Sequence, residues 1–455
     1  MSVSPRAELI SVRLTRFKSF ADAELPIGDL TVLTGRNSSG KSNALDAIEV
    51  LARLSEGEAL VDALDGRRRE GGPIRGGSAG CAPHGETEFS IGCTVRLGGE
   101  TFDYDLTIQV LPDLRVLAER MCGPRPMIRS GWARYGPLLD AKASVDENPV
   151  LWGQVHNGKK GPNPWLPFRD NRILLAQLPS HVSAKDAEGQ DDPAGRQVLL
   201  GAQTVIAALR GTFHLDPIPH LMRSYVPARD AGLRRTCENL SASISLLADR
   251  EPEKFQRLNE LVRLVADHPV RSLAVARSDL RDVMLTIQEG VDPSDATRAR
   301  ELSDGLLRFL AIAVALLTAD RGLDVDPGSP LDAQVRGRVL LVIEELENGL
   351  HPSMAARLLN LIRETSAETG AQVILTTHSP ALLNALSGDG ANSVVVCYRN
   401  EESRRSVLAR LTELPGYPQA MAQGRIGDLV SEGRLVRPEE SSADPGAVLH
   451  LLGIE

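Results

Sequence analysis

The chain has 455 residues, of which 42% are hydrophobic and 24% charged, and a formal net charge of −9. That length holds two or three domains, or one large domain with an insertion, in an ordinary globular composition. The acidic balance argues against a chain coated in nucleic acid and leaves only a local basic groove for such a partner. No run of 18 apolar residues occurs, MSVSPRAELISV contains no signal-peptide core, and the five cysteines form no CxxC pair. These features predict a cytoplasmic protein without a membrane span or a zinc site.

In chain order, LISVRLTRFKSF and LTVLTG read as strands, the second ending in a glycine turn. KSNALDAIEVLARL then places Ala44, Ala47, Ile48 and Leu51 at i, i+3, i+4 and i+7, which predicts a helix with one face on a sheet. Between them, residues 35–42 read GRNSSGKS and match G-x-x-x-x-G-K-[ST] at every fixed position, in the strand-before, helix-after context the pattern requires. Gly35 and Gly40 let the backbone curl until its N–H groups face phosphate oxygens, and the helix start adds partial positive charge. Lys41 supplies a compact cation for the β- and γ-phosphates, and the Ser42 hydroxyl is a ligand for Mg²⁺. The predicted triphosphate cradle is therefore Gly35, Arg36, Asn37, Ser38, Ser39, Gly40, Lys41, Ser42 and Asn43.

Residues 65–85 are glycine-rich and basic, and EFSIGCTVRLGGETFDYDLTIQV reads as a hairpin turning at its GG. Residues 123–170, rich in Pro, Gly and aromatics, read as an irregular β-containing lobe, and helical patterns dominate 194–268. From 299 the order is regular. The helix DGLLRFLAIAVALLTAD precedes the strand VLLVI, and a second helix starts at Pro352 and stops at Gly370. The strand QVILTTH, a short helix from Pro380 and the strand SVVVCY complete a β-α-β-α-β run, which implies a parallel sheet covered by helices. The predicted organisation is an α/β head in two parts, 1–64 and 299–455, split by a β-rich lobe (65–193) and a helical insertion (194–298).

In VLLVIEELENGLHP, Glu344 and Glu345 follow a buried strand, at the edge where open α/β sheets bind ligands. Glu344 is assigned to the Mg²⁺ shell, and Glu345 to polarising the attacking water as general base. Glu347 is expected to serve the following turn or a subunit contact. Ser303, Asp304 and Gly305 open an apolar helix. That is an ordinary N-cap on its own, but beside a phosphate loop it can also bind the γ-phosphate of a second copy's ATP. His378 in TTHSP ends a strand next to the carboxylates, where it can hydrogen-bond the γ-phosphate or the water.

Taken in order, RLTRFKSF, TGRNSSGKSNALDAI, LSDGLLRFLAIA, VIEELENGLHP and ILTTHSP resemble the ABC-type ATPase heads of the RecF/SMC group. The nearest likeness is to prokaryotic AAA-family ATPases related to the overcoming-lysogenization-defect (OLD) proteins, whose tail IGDLVSEGRLV also resembles. The resemblance implies a P-loop NTPase head that binds ATP and Mg²⁺, with Gly35 to Ser42 as Walker A and Glu344 and Glu345 as Walker B. It makes Ser303 to Gly305 the signature, Asn348 to His351 the D-loop and His378 the switch histidine. Arg16 and Lys18 fall where the group often contacts nucleotide, and the Q-loop glutamine is either Gln109 or Gln177. Full OLD nucleases carry a Toprim domain, yet the 77 residues after His378 hold no cluster of metal-binding acids. The expectation is that this chain does not cut DNA itself and resembles the ATPase subunits of anti-phage systems such as Septu, where the nuclease is a separate chain.

The leading expectation is an ATPase switch in which two copies close on two ATP molecules and gate a nuclease, another effector, or DNA. The alternatives are a RecF-like DNA-repair ATPase and a non-hydrolysing scaffold glued by ATP, which Glu344 in place of the commoner Asp keeps open. A transporter ATPase fits the large insertion poorly. DNA binding would fall on Arg67, Arg68, Arg69 and Arg75, or on Lys159 and Lys160 near Trp152 and Trp165, though solvated loops are the plainer reading of both.

Overall fold

The computed structural model describes residues 5–67, 72–126, 134–143, 150–186, 188–266, 269–320, 323–324, 335–386 and 388–418, with Gly427 and Val430. Arg68, Arg69, Trp132 and most of IGDLVSEGRLV lie outside the described residues.

Strands β1 (Ala7–Phe17), β2 (Phe20–Pro26) and β3 (Leu30–Thr34) lead through residues 35–40 into helix α1 (Lys41–Ser55), followed by α2 (Leu60–Asp65). An antiparallel ladder follows: β4 (Glu88–Leu97), β5 (Glu100–Gln109), β6 (Arg115–Arg125), β7 (Arg134–Lys142), β8 (Val150–Val155) and β9 (Trp165–Arg169). The stretch expected to be helical holds α3 (Pro193–Arg210), α4 (Leu240–Arg250) and α5 (Pro252–Val265), but also strands. These are β10 (Thr212–Leu215), β11 (Val226–Pro227), β12 (Ser272–Arg277), β13 (Asp282–Gln288) and β14 (Ala296–Arg298). The regular run then appears as α6 (Asp304–Leu317), β15 (Leu340–Ile343), α7 (Pro352–Thr369), β16 (Gln372–Thr377), α8 (Pro380–Ala385), β17 (Val394–Arg399) and β18 (Ser406–Arg410).

Fourteen strands form one mixed sheet in the order β10-β15-β16-β3-β17-β18-β2-β1-β4-β5-β6-β7-β8-β9. The five strands from β10 to β17 run parallel, and helices connect them. Every residue of β15 and β16 is buried, as strands covered on both faces require. The fold is the expected one: α/β, with a mixed sheet covered by helices. Helix α7 starts at Pro352 and ends before Gly370, whose φ of +69° suits glycine. Trp152 and Trp165 are exposed on the outer strands β8 and β9. Among the described residues no helix is long and apolar enough to cross a membrane.

The two ends of the chain are joined directly in this sheet. Gln372 of β16 accepts the Leu9 N–H at 3.2 Å and donates to the Leu9 carbonyl at 2.8 Å. Arg338, just before β15, pairs with Glu8 and Asp29. Register then sets which residues meet at the ligand-binding edge: Ile343 lies beside Leu375, and Thr34 beside both Thr377 and Val396. The loops after β3, β15, β16 and β17 therefore leave the sheet side by side.

Glu119 on β6 makes stability depend on pH. Its carboxylate is fully buried and accepts the N–H groups of Leu174 at 2.6 Å and Leu175 at 2.8 Å. Burial pushes its carboxyl up to about 7, against the smaller downward pull of those two bonds. The folded chain thus holds this proton more tightly than the unfolded chain. The resulting stability is complete below the ordinary carboxyl range and is lost as pH rises through about 7. Thermal melts should show stability falling by on the order of 3 kcal/mol between pH 5 and 8 from this group. Glu119→Gln should flatten that slope, and an unchanged slope would refute the assignment.

Candidate nucleotide site

The loop after β3 takes a shape its neighbours dictate. Gly35 has a φ of +145° and Gly40 of +117°, both in the region that favours glycine. A Cβ at Gly35 would stand 2.0 Å from the Cys397 carbonyl oxygen, and one at Gly40 would stand 2.4 Å from Ser406 Oγ. The Ser39 carbonyl is held from two directions, by Ser406 Oγ at 2.6 Å and Cys397 Sγ at 3.3 Å. Asn43 Nδ2 donates to Ser19 Oγ at 2.8 Å, tying the start of α1 to the β1–β2 turn.

Lys41 is buried, and its Nζ donates to the carbonyls of Gly35 at 3.0 Å and Arg36 at 3.1 Å. Among the described residues it pairs with no carboxylate. Burial lowers its pKa, while Glu345 and Glu347 hold it up. Beside it, Ser39 Oγ is buried without a hydrogen-bond partner. A partly desolvated cation next to an unused hydroxyl and a curled backbone is a fitting receptor for an anion.

The carboxylates come from the adjoining strand end. Glu344 Oε2 lies 3.4 Å from Ser42 Oγ, so the two hard oxygen donors proposed for Mg²⁺ face one another. Its Oε1 is 3.4 Å from the Arg75 guanidinium, which also reaches Asp46 at 3.4 Å. Glu345 has a φ of +49°, a strained value for a non-glycine residue. Thr376 Oγ1 accepts its N–H at 2.8 Å, and Asn348 Nδ2 reaches its Oε2 at 3.4 Å.

Glu347 does not simply serve its own turn. Its Oε1 accepts the backbone N–H of His378 at 2.5 Å, and its Oε2 is buried without a partner. Burial lowers the His378 pKa, Lys41 lowers it further, and Glu347 and Glu345 oppose that. His378 is therefore biased toward the neutral imidazole, which can both donate and accept a hydrogen bond. Glu345, Glu347, Asn348 and His378 line one cleft of about 1360 Å³ with the residues from Thr34 to Ser39, room enough for a nucleotide.

The other sequence candidates lie elsewhere. Ser303 caps α6 by accepting the Leu306 N–H at 3.3 Å, and Asp304 pairs with Arg223 at 2.5 Å. A Cβ at Gly305 would stand 2.7 Å from the Gly349 carbonyl, so this turn rests on the loop after β15. None of the three lines the cleft of its own chain. Lys18 is bound to Asp46 at 2.7 Å, and Arg16 to Glu86 at 2.8 Å and Glu88 at 2.5 Å. Both cations thus already face carboxylates. Gln109 accepts from Arg115, and Gln177 bonds the backbone around Arg169, so neither reaches the cleft. Sequence reasoning did not single out Thr376, Cys397 or Ser406. Only Thr376, two residues before His378, carried a local signal.

No curated protein matches the chain. Similar solved structures include an SMC head bound to the C-winged helix domain of ScpA, at 14% identity and TM-score 0.42, covering 88% of this chain and 97% of that one. The SMC head domain from Thermotoga maritima has 14% identity and TM-score 0.38, with 89% and 98% covered. An Smc head domain with an extended coiled coil, bound to the C-terminal domain of ScpA derived from Pyrococcus furiosus, has 12% identity and TM-score 0.41, with 91% and 100% covered. The family model described as "AAA domain, putative AbiEii toxin, Type IV TA system" matches residues 30–115 and 168–384, which include the phosphate loop, both carboxylates and His378. The chain belongs to that family of AAA-type P-loop ATPases.

Proposed function

We propose that this chain hydrolyses ATP as a molecular switch, closing with a second copy of itself around two nucleotides. The observation that carries the reading is one cleft in which Glu345 and His378 face the phosphate loop from Gly35 to the unpartnered Ser39 hydroxyl, with Lys41 held against that loop's carbonyls and Ser42 facing Glu344. Ser42 and Glu344 would hold Mg²⁺, which when bound supplies charge neutralisation at the β- and γ-phosphates. Lys41 offsets the remaining charge. Glu345 accepts a proton from water as its oxygen attacks the γ-phosphorus, and the bond to the β-phosphate oxygen breaks to give ADP and phosphate. His378 donates to the γ-phosphate and reports its loss through the clamp that Glu347 makes on its backbone.

Dimerisation is supported by the Ser303–Asp304–Gly305 turn, which rests on the loop after β15 and away from its own cleft. A second copy can present that turn to the γ-phosphate. In the proposed division, residues 1–64 and 299–455 form the ATPase head, and 65–193 and 194–298 its insertions. Closure and opening would gate a separate effector chain, a nuclease in anti-phage defence by the resemblance stated above. The Arg16 and Lys18 contacts to nucleotide would require exchange of their present carboxylate partners.

The test is phosphate release by purified protein alongside its oligomeric state with and without ATP. ATP-dependent dimers that Ser303→Arg abolishes support the switch. A second reading, a scaffold held by ATP without turnover, is favoured by the hold of Arg75 on Glu344. ATP-dependent assembly with no phosphate release by wild type would select it.

A further inference from the structure

We propose that the turn between β17 and β18, through Arg399 and Arg404, holds the nucleoside of the nucleotide whose phosphates lie on residues 35–42. The inference rests on the ATP reading above and extends it to a part of the ligand no motif addresses. Glu345, Glu347 and His378 fix where the terminal phosphate lies, so the sugar and base must leave the loop in another direction. The main cleft runs from those residues past Ser39 to the β17–β18 turn. A second cleft of about 770 Å³ opens on the far side, beside Asn43 and Ser19. Arg399 and Arg404 line both.

The turn is a rigid extension of the phosphate loop. Its two legs, at Cys397 and Ser406, both bind the Ser39 carbonyl, and the Ser406 N–H donates to the Ser19 carbonyl at 2.9 Å. Within it, Asn400 Oδ1 accepts the N–H groups of Glu402 at 3.0 Å and Ser403 at 2.9 Å. The Arg404 N–H donates to the Asn400 carbonyl at 2.9 Å, which holds Arg404 at a φ of +55°. A turn so tightly specified places its side chains reproducibly relative to the phosphates.

The chemistry of the two side chains fits a base and a ribose. Arg405 is occupied by Glu86 at 3.4 Å, and Arg75 by Asp46 and Glu344. Arg399 and Arg404 are exposed and, among the described residues, have no ion-pair partner. A guanidinium plane stacks on a nucleobase, and its N–H fork donates to ribose hydroxyls or base acceptors. Phosphate alone needs only the charge.

The experiment is calorimetric titration, in Mg²⁺, of ATP and of inorganic tripolyphosphate into wild type, Arg399→Ala/Arg404→Ala and Arg399→Lys/Arg404→Lys. The alanine pair should bind ATP about tenfold more weakly, the sum of two stacked cations, and tripolyphosphate within about twofold of wild type. The lysine pair, charged but not planar, should recover less than half of the lost binding free energy. Unchanged ATP affinity, an equal loss for both ligands, or full recovery by lysine overturns the proposal. Wild type that binds neither ligand overturns the phosphate-loop reading itself, a result distinguishable from the others.

Discussion

Glu345→Gln should slow phosphate release by at least about 100-fold while ATP affinity stays within about threefold of wild type. The amide keeps the shape of the side chain, and its oxygen can still accept from Asn348 Nδ2, while Thr376 holds the backbone as before. What is lost is the ability to take a proton from water. Because the ligand stays bound and uncleaved, the variant should accumulate as an ATP-dependent dimer that wild type forms only transiently. Single-turnover phosphate release and size-exclusion chromatography with ATP check both halves. Glu347→Gln is the control, because Glu347 has a free oxygen in the same cleft. Its Oε1 binds a backbone N–H that a glutamine oxygen can also serve, so its turnover should fall far less. If Glu347→Gln is the variant that stops turnover and Glu345→Gln is not, the general base is misassigned.

The motifs that announced themselves in the sequence are those whose chemistry is local. GRNSSGKS between a strand and a helix needs no partner from elsewhere to be legible, and Pro352 and Gly370 mark a helix by their own backbone preferences. From sequence alone Glu347 serves its turn or a subunit contact, because its partner, the His378 N–H, lies 31 positions away and becomes a neighbour only when β15 and β16 pair. The clasp of Cys397 and Ser406 on Ser39 spans more than 350 residues and involves side chains that carry no signal of their own. β10 is illegible in the sequence for a different reason. TFHL is four residues between helical patterns, too short for alternation to emerge, and its strand state comes from pairing with β15. Glycines and prolines, which an edge of a sheet tolerates more readily than its centre, obscure the alternation of the outer strands β7 to β9.

Gly35→Ala should abolish measurable ATP binding and lower Tm, although alanine is the smallest side chain available. The added Cβ would lie 2.0 Å from the Cys397 carbonyl oxygen, 3.0 Å from its carbon and 3.2 Å from Ser39 Oγ. A backbone carbonyl of β17, a strand paired with β3 on one side and β18 on the other, cannot rotate away, so the loop must lift off β17. The φ of +145° adds a strain of about 1–3 kcal/mol for any residue with a Cβ. Lifting the loop breaks the clasp on Ser39 and misdirects the N–H groups meant for phosphate, so binding fails before the fold does. Gly370→Ala separates the two contributions. That glycine has a φ of +69° and nothing within 4 Å of an added Cβ, so alanine there suffers the backbone strain alone. It should cost about 1 kcal/mol and leave nucleotide binding untouched. Circular dichroism melts with ATP titration distinguish them, and a Gly35→Ala protein that binds ATP like wild type would show that close packing on the Cys397 carbonyl does not shape the cradle.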